Sequence, residues 1–183
     1  MRTGPTNTPV ATSPSTPAPA TAGATSGSPS ASTGSPTVSG VAAEITGIQA
    51  LDPQGDGNEN DSSAPLAIDD DKSTTWRSDR YQSSSFGGLK KGLGLYLTLG
   101  EGSVHSVVIE MPGSTGGTVE LRTAPGPGLD SSVVVSTATS QGGKVVITPT
   151  QPLAVPQLLL WFTDLPRQSN GEFRLVVSEI TVT

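Results

Sequence analysis

Ala67-Ile68-Asp69-Asp70-Asp71-Lys72-Ser73-Thr74-Thr75-Trp76 sets acidic oxygens, hydroxyls and one aromatic ring into a turn-rich segment with apolar residues at either end. Calcium takes hard oxygen ligands from carboxylates, hydroxyls and main-chain carbonyls in a flexible cage. Residues 69–75 offer such a supply over one tight loop. Asp69 and Asp71 cannot both point the same way if the chain turns, so one supplies a carboxylate and the other a carbonyl. Thr74 can supply a hydroxyl, and a carboxylate from a distant strand would close the cage. The alternative is that Asp69 caps the turn through main-chain hydrogen bonds.

Outward from this turn, strand patterns recur. Leu93, Leu95, Leu97 and Leu99 alternate with Gly94, Tyr96 and Thr98, which predicts a half-buried strand. Val107, Ile109 and Met111 alternate within 105–111, and Val119 and Leu121 within 118–123. Residues 132–139, 144–148, 157–163 and 172–183 complete the set, and Ile45 and Ile48 lie in a short apolar segment ahead of it. Leu158-Leu-Leu-Trp-Phe162 is apolar on both faces, as a central strand requires. Gly- and Pro-rich breaks separate these segments, and no window carries a helical period with caps. The predicted fold is all-β, a jelly-roll β-sandwich.

Upstream the composition changes. From Thr3 to Gly40 nearly every residue is Ser, Thr, Pro, Ala or Gly, too little apolar surface to offset the entropy of ordering. Residues 1–40 are therefore expected to be a disordered linker and residues 41–183 one folded domain. Such a stalk spans on the order of 35 Å as a coil and roughly 125 Å as polyproline. Ser/Thr/Pro-rich stalks are typical of surface proteins, and the first residues lack the apolar core of a signal peptide. The expected setting is the outer side of a cell envelope, within a longer protein whose membrane or export segment lies upstream. No apolar run is long enough for this chain itself to insert in a bilayer.

The formal net charge is −6, and the only charged residue ahead of Glu44 is Arg2. An acidic domain without basic clusters argues against nucleic acid as a partner, since phosphate binding runs on Lys and Arg. Lys90-Lys91 is the only basic pair and reads as a solvated loop. With no cysteine, no disulfide framework or thiolate chemistry is available. His105 heads a strand without an acid partner or nucleophile motif, and no nucleophile elbow or phosphate-binding glycine loop is present. The chain reads as noncatalytic. Asp56, Asn58 and Asn60 resemble the start of an EF-hand loop, but position six would be Asp61 instead of Gly and position twelve Ala67 instead of Glu, which excludes that motif.

Ala67-Ile-Asp-Asp-Asp-Lys-Ser-Thr-Thr-Trp76 resembles the signature of the discoidin, or coagulation factor 5/8 type C, family, whose form is Ala-apolar-Asp-Gly-Asp-x-x-Thr-x-Trp. Leu175-Val-Val-Ser-Glu-Ile-Thr-Val182 resembles that family's last strand. The resemblance spans about 41–183 and implies a galactose-binding-like jelly roll. It further implies a structural calcium with Asp69 and Glu179 as side-chain ligands, Asp71 giving its carbonyl and Thr74 its hydroxyl and carbonyl. Trp76 would be the core tryptophan beneath the turn. Asp70 departs from the pattern, standing where Gly would permit a positive φ.

A second resemblance is narrower. Asp52-Pro-x-Gly-x-Gly-x-Glu, Trp76-Arg-x-x-Arg-Tyr81 and Phe86-Gly-Gly-Leu-Lys-x-Gly-x-Gly-Leu95 are similar to the extracellular tail domain of actinobacterial kinase-like and MviN-type membrane proteins. The function implied is an extracellular binding module for glycans or cell-wall material, tethered by a flexible stalk. The alternative is a protein-interaction or spacer domain that partners an envelope protein and binds no sugar. Candidate ligand residues are Arg77, Arg80, Tyr81 and Phe86, with Asn58 and Glu59 from the earlier loop. Sugar sites combine an aromatic face with planar hydrogen-bonding groups, and arginine can clamp a carboxylate through two bonds. The plainer reading pairs the arginines with Asp56, Asp61 or Asp79 and packs Tyr81 on the sandwich.

Overall fold

The computed structural model describes residues 40–183 together with Gly4, so the rest of the expected linker, 1–40, lies outside the described residues. The strands in chain order are β1 Ile45–Leu51, β2 Trp76–Arg77, β3 Leu93–Leu99, β4 Val107–Glu110, β5 Ser114–Thr115 and β6 Thr118–Thr123. They continue with β7 Val133–Thr139, β8 Lys144–Ile147, β9 Gln157–Asp164, β10 Arg167–Gln168, β11 Val176–Val177 and β12 Glu179–Val182. Short 3-10 turns lie at Asp61–Ala67 and Phe86–Gly88. A five-stranded sheet runs β1-β3-β9-β6-β7 and a three-stranded sheet β12-β4-β8, with two-stranded ribbons β11-β2 and β10-β5. The named pairings are antiparallel.

Alternation explains the two layers. Leu93, Leu95 and Leu97 of β3, Leu158, Leu160 and Phe162 of β9, and Val119 and Leu121 of β6 point inward. They meet Val107 and Ile109 of β4, Val145 and Ile147 of β8, and Ile180 of β12 in one core. Each large side chain buried this way contributes about 1.5–3 kcal/mol. The jelly-roll sandwich expected from the strand pattern is the architecture found.

The other face of the five-stranded sheet is also covered. Tyr96, Leu159, Trp161 and Ala124 form a second buried cluster, with Leu51 and Leu129 packed against it. This makes β9 buried on both faces, as its sequence predicts. It also corrects the expectation for β3: Gly94 and Tyr96 are buried too, and only Thr98 is exposed. Trp161 lies across Gly92, where an added Cβ would stand 2.6 Å from the indole and from the Phe162 carbonyl. Glycine is required there by close approach.

The C-terminal segment, expected as one strand over 172–183, is divided. Val177 pairs with Trp76, and Glu179 with Glu110, so β11 and β12 join different partners. The division seats the Asp69–Trp76 turn against the last strand.

Candidate functional site

The turn closes through its own carboxylates. Asp69 Oδ1 accepts from the Asp71 N–H (3.0 Å), and Asp71 Oδ1 accepts from the Ser73 N–H (2.9 Å) and hydroxyl (2.6 Å). The Ser73 hydroxyl, and then its N–H, hold the Asp71 carboxyl below its ordinary pKa. Asp70 takes φ 61°, the left-handed conformation that glycine occupies in the resembling signature, at a cost of roughly 1–2 kcal/mol. Trp76 is fully buried beneath, its Nε1 within 3.2 Å of the Glu59 carbonyl and 3.3 Å of the Asn60 carbonyl.

Thr74 Oγ1 stands 2.8 and 3.1 Å from the two Asp69 carboxylate oxygens, 2.9 Å from the Asp71 carbonyl and 3.3 Å from the Leu66 carbonyl. A hydroxyl has one proton to donate, so this is a crowd of acceptors short of donors. Glu179 is buried, and its Oε2 has no hydrogen-bond partner. Burial first, then the charge of Asp70, raises its pKa, with a smaller contribution from Asp69. Among the described residues no three acidic or histidine side chains converge to hold a metal. The oxygens here mix the Asp69 and Glu179 carboxylates with carbonyls and one hydroxyl, a donor set that fits a hard cation such as calcium.

A second feature is a hollow of about 320 Å³. Gln54, Gly55 and Asp56 form one wall, residues 79–82 another, and Leu89 and Lys90 a third. Arg80 reaches it but is paired to Glu172 at 2.8 Å. Leu89 is 78% exposed. Phe86, Gly87 and Gly88 all take positive φ (56°, 64° and 76°), and this reversal buries Phe86 and Lys90 while turning Leu89 outward.

Under the hollow lies a buried charged cluster, which corrects the reading of Lys90 as solvated. Its side chain is 3% exposed, 2.7 Å from Glu59 Oε2 and 2.8 Å from Asp52 Oδ1. The Asp52 contact is an ion pair whose angles fall short of a hydrogen bond. The Tyr81 hydroxyl also donates to Glu59, at 2.9 Å from Oε2. Burial alone would lower the Lys90 pKa, but the neighbouring Asp52 and Glu59 carboxylates and the Tyr81 hydroxyl raise it overall. Tyr81 is raised by burial first. No local pattern announces this cluster, because the Asp52–Asn60 loop must fold back before the groups meet.

The candidate ligand residues therefore separate. Arg80 and Tyr81 line the hollow. Phe86 cannot offer a face to ligand: its ring is fully buried, edge-on to Tyr81 at 5.2 Å between centroids. Glu59, 1% exposed, is committed to Lys90 and Tyr81 and to the Asp79 N–H. Asn58 and Arg77 are exposed but do not line the hollow; the Arg77 Nε donates to Thr75 Oγ1 at 3.1 Å. Gln54, Gln82 and Leu89 were missed. The Gly87-Gly88 pair before Leu89 is the one signal that marked its outward turn.

Among known protein families, none matches the chain by sequence. Its fold is that of solved carbohydrate-binding modules. It is similar to the CBM32 of AlyQ in complex with 4,5-unsaturated mannuronic acid, at 16% identity and TM-score 0.53 over 78% of this chain and 98% of that one. It is similar to chitosan-binding module 2 of the Paenibacillus sp. IK-5 chitosanase/glucanase in complex with chitotriose, at 16% identity and TM-score 0.51 over 76% and 95%. It also matches a part of the Ruminococcus gnavus GH29 fucosidase E1_10125, at 19% identity and TM-score 0.50 over 74% of this chain, and spans only 24% of the fucosidase's length. At these identities the likeness shows the fold alone, a jelly-roll β-sandwich.

Proposed function

We propose that the domain is a noncatalytic binding module for a glycan or cell-wall polymer, which it takes in the hollow between Gln54, Asp79–Gln82 and Leu89. The observation that carries this reading is the hollow itself: three loops set amide, guanidinium and carboxylate groups around about 320 Å³ on a sandwich shared with carbohydrate-binding modules. Asp56 and Asp79 can accept from sugar hydroxyls, Arg80 and Gln82 can donate, and Leu89 and the Tyr81 ring supply apolar contact. The carboxylates around and beneath the hollow outnumber its two cations, both already paired. Hydroxyl recognition therefore suits it better than the carboxylate clamp expected of Arg77 and Arg80.

Calcium belongs to the same proposal as a structural ion. Asp69, the Asp71 carbonyl, Thr74 and Glu179 would hold it, and its charge would neutralise the crowded oxygens and tie the turn to β12. In the setting proposed, residues 1–40 form a stalk and the domain stands on the extracellular side of an envelope, as the tail of a membrane-anchored protein.

One observation favours the alternative of a spacer or protein-interaction domain. Among the described residues every Phe, Trp and Tyr ring is buried except those of Tyr81 and Phe173, which are half-buried, so none of these rings offers an open platform for sugar stacking. A glycan array and a pull-down on insoluble peptidoglycan separate the two. Retention that falls at least tenfold in Arg80→Ala and Asp79→Ala, with unchanged melting temperature, supports the binding module. Silence in both assays, with an envelope protein recovered by crosslinking, establishes the spacer. Full retention in both variants removes the hollow as the site.

A further inference from the structure

We infer that Lys90 and Asp52 condense into an intramolecular isopeptide bond beneath the hollow, with Glu59 as the proton carrier. The reacting groups already touch: Lys90 Nζ is 2.8 Å from Asp52 Oδ1 and 2.7 Å from Glu59 Oε2. The three side chains are 3%, 4% and 1% exposed. Nζ lies 4.9 Å from the centre of the Tyr81 ring and 5.9 Å from that of Phe86, so the site is lined by rings. Asp52 Oδ1 is buried and accepts no hydrogen bond.

The backbone fixes this meeting. Leu51 pairs with Gly94 at one end of the β1–β3 ladder. Asp52 leaves β1 there and Lys90 approaches β3 there, on adjacent hydrogen-bonded strands. Reactants held in such contact gain effective molarities on the order of 10⁵–10⁸ M when well oriented. The interior also favours the product. Keeping ions out of water is costly, and condensation replaces an ammonium and a carboxylate by one neutral amide.

The step balances without a co-reactant. Glu59 takes a proton from the Lys90 ammonium, and the freed lone pair attacks Asp52 Cγ. The N–C bond forms, and a C–O bond of the Asp52 carboxyl breaks. Of the three ammonium protons one stays on the amide nitrogen, and two leave with the departing oxygen as water, delivered through Glu59, which ends as the carboxylate it began. The Tyr81 hydroxyl, donating to Glu59 at 2.9–3.0 Å, holds that carboxylate in place.

Intact-mass spectrometry of the purified full chain, denatured, tests this. Each protein is compared with the mass its own sequence dictates, allowing for removal of Met1. The wild type should be lighter by one water. Trypsin should cut after Lys91 but not after Lys90, releasing one branched peptide that joins the segment bearing Asp52 to the segment bearing Lys90. Asp52→Asn should instead lose one ammonia, and Lys90→Arg and Glu59→Gln should keep full mass. A folded wild type at full mass overturns the inference. So does a water loss that survives Lys90→Arg, as cyclisation at Asp56-Gly57 would give. If Glu59→Gln does not fold, the wild type and Asp52→Asn decide.

Discussion

Glu179→Gln should change sign in its effect on stability according to whether calcium is present. In chelator, the wild-type carboxylate is buried, has one oxygen without a partner, and faces the charges of Asp69 and Asp70. A buried unsatisfied polar group costs about 1–3 kcal/mol. Glutamine keeps the shape and removes the charge, so the variant should be the more stable protein. At about 3–4 °C per kcal/mol for a domain of this size, its melting temperature should rise by roughly 3–12 °C. With calcium at about 100 times its dissociation constant, the wild type gains about 2.7 kcal/mol, or roughly 10 °C, while the variant, having lost one of two side-chain carboxylate ligands, responds far less. The order of the two proteins then inverts. Differential scanning calorimetry in chelator and in calcium reads both. A wild type indifferent to calcium removes the ion, and a variant less stable than wild type in chelator removes the account of Glu179 as a strained carboxylate.

The second buried cluster offers an independent check. Gly92→Ala would place a methyl 2.6 Å from Trp161 and from the Phe162 carbonyl. Overpacking of this kind costs about 1–3 kcal/mol, so urea denaturation should shift and Trp161 emission should change; an unchanged midpoint and spectrum would mean that the indole does not lie over Gly92. For Glu172, the hydrogen bond from Arg80, then that involving Asn170, holds the pKa below its ordinary 4.5. Its contribution to stability is therefore present above pH 4.5 and lost as pH falls through the lower folded value. Acid titration followed by circular dichroism should show the wild type losing slightly more stability than Glu172→Gln below pH 4.5, and equal losses would show the Arg80 pair to be immaterial.

Strands long enough to show a period are legible in the sequence. The alternation over 118–123 and 93–99 coincides with β6 and β3, and Leu158–Phe162 lies in the central strand because nothing polar interrupts it. The two-residue strands β2, β5 and β10 were not legible, since two residues define no period. The covered outer face of β3 was hidden too, because Leu129 and Ala124 reach it only after the loop between β6 and β7 folds across. The same reason divides the site residues. Arg80 and Tyr81 follow closely on the legible Asp69–Trp76 turn and reach the hollow. Phe86 and Glu59 looked available only because burial by the Gly87-Gly88 reversal and by the returning Asp52–Asn60 loop is a tertiary event. Arg77 was placed with Arg80 by nearness in sequence, whereas its β2 position beside Trp76 directs it elsewhere.

That returning loop also links the two proposals made for this region. Gln54 and Asp56 can recognise a ligand only if the loop carrying them is held, and the domain has no cysteine to hold it. A Lys90–Asp52 amide would do so covalently. By the loop-closure relation that describes disulfides, a crosslink spanning residues 52–90 removes about 4 kcal/mol of unfolded-state freedom. It would also replace the ammonium and the Asp52 carboxylate by one neutral amide, leaving Glu59 as the one remaining charge of the triad and the net charge of the floor unchanged. Ligand binding in Lys90→Arg then reports on both ideas at once. The triad carries the same net charge in Lys90→Arg as in the condensed protein, so if the amide braces the loop, affinity falls while the preference among ligands is kept, and an unchanged affinity would show that the loop needs no amide.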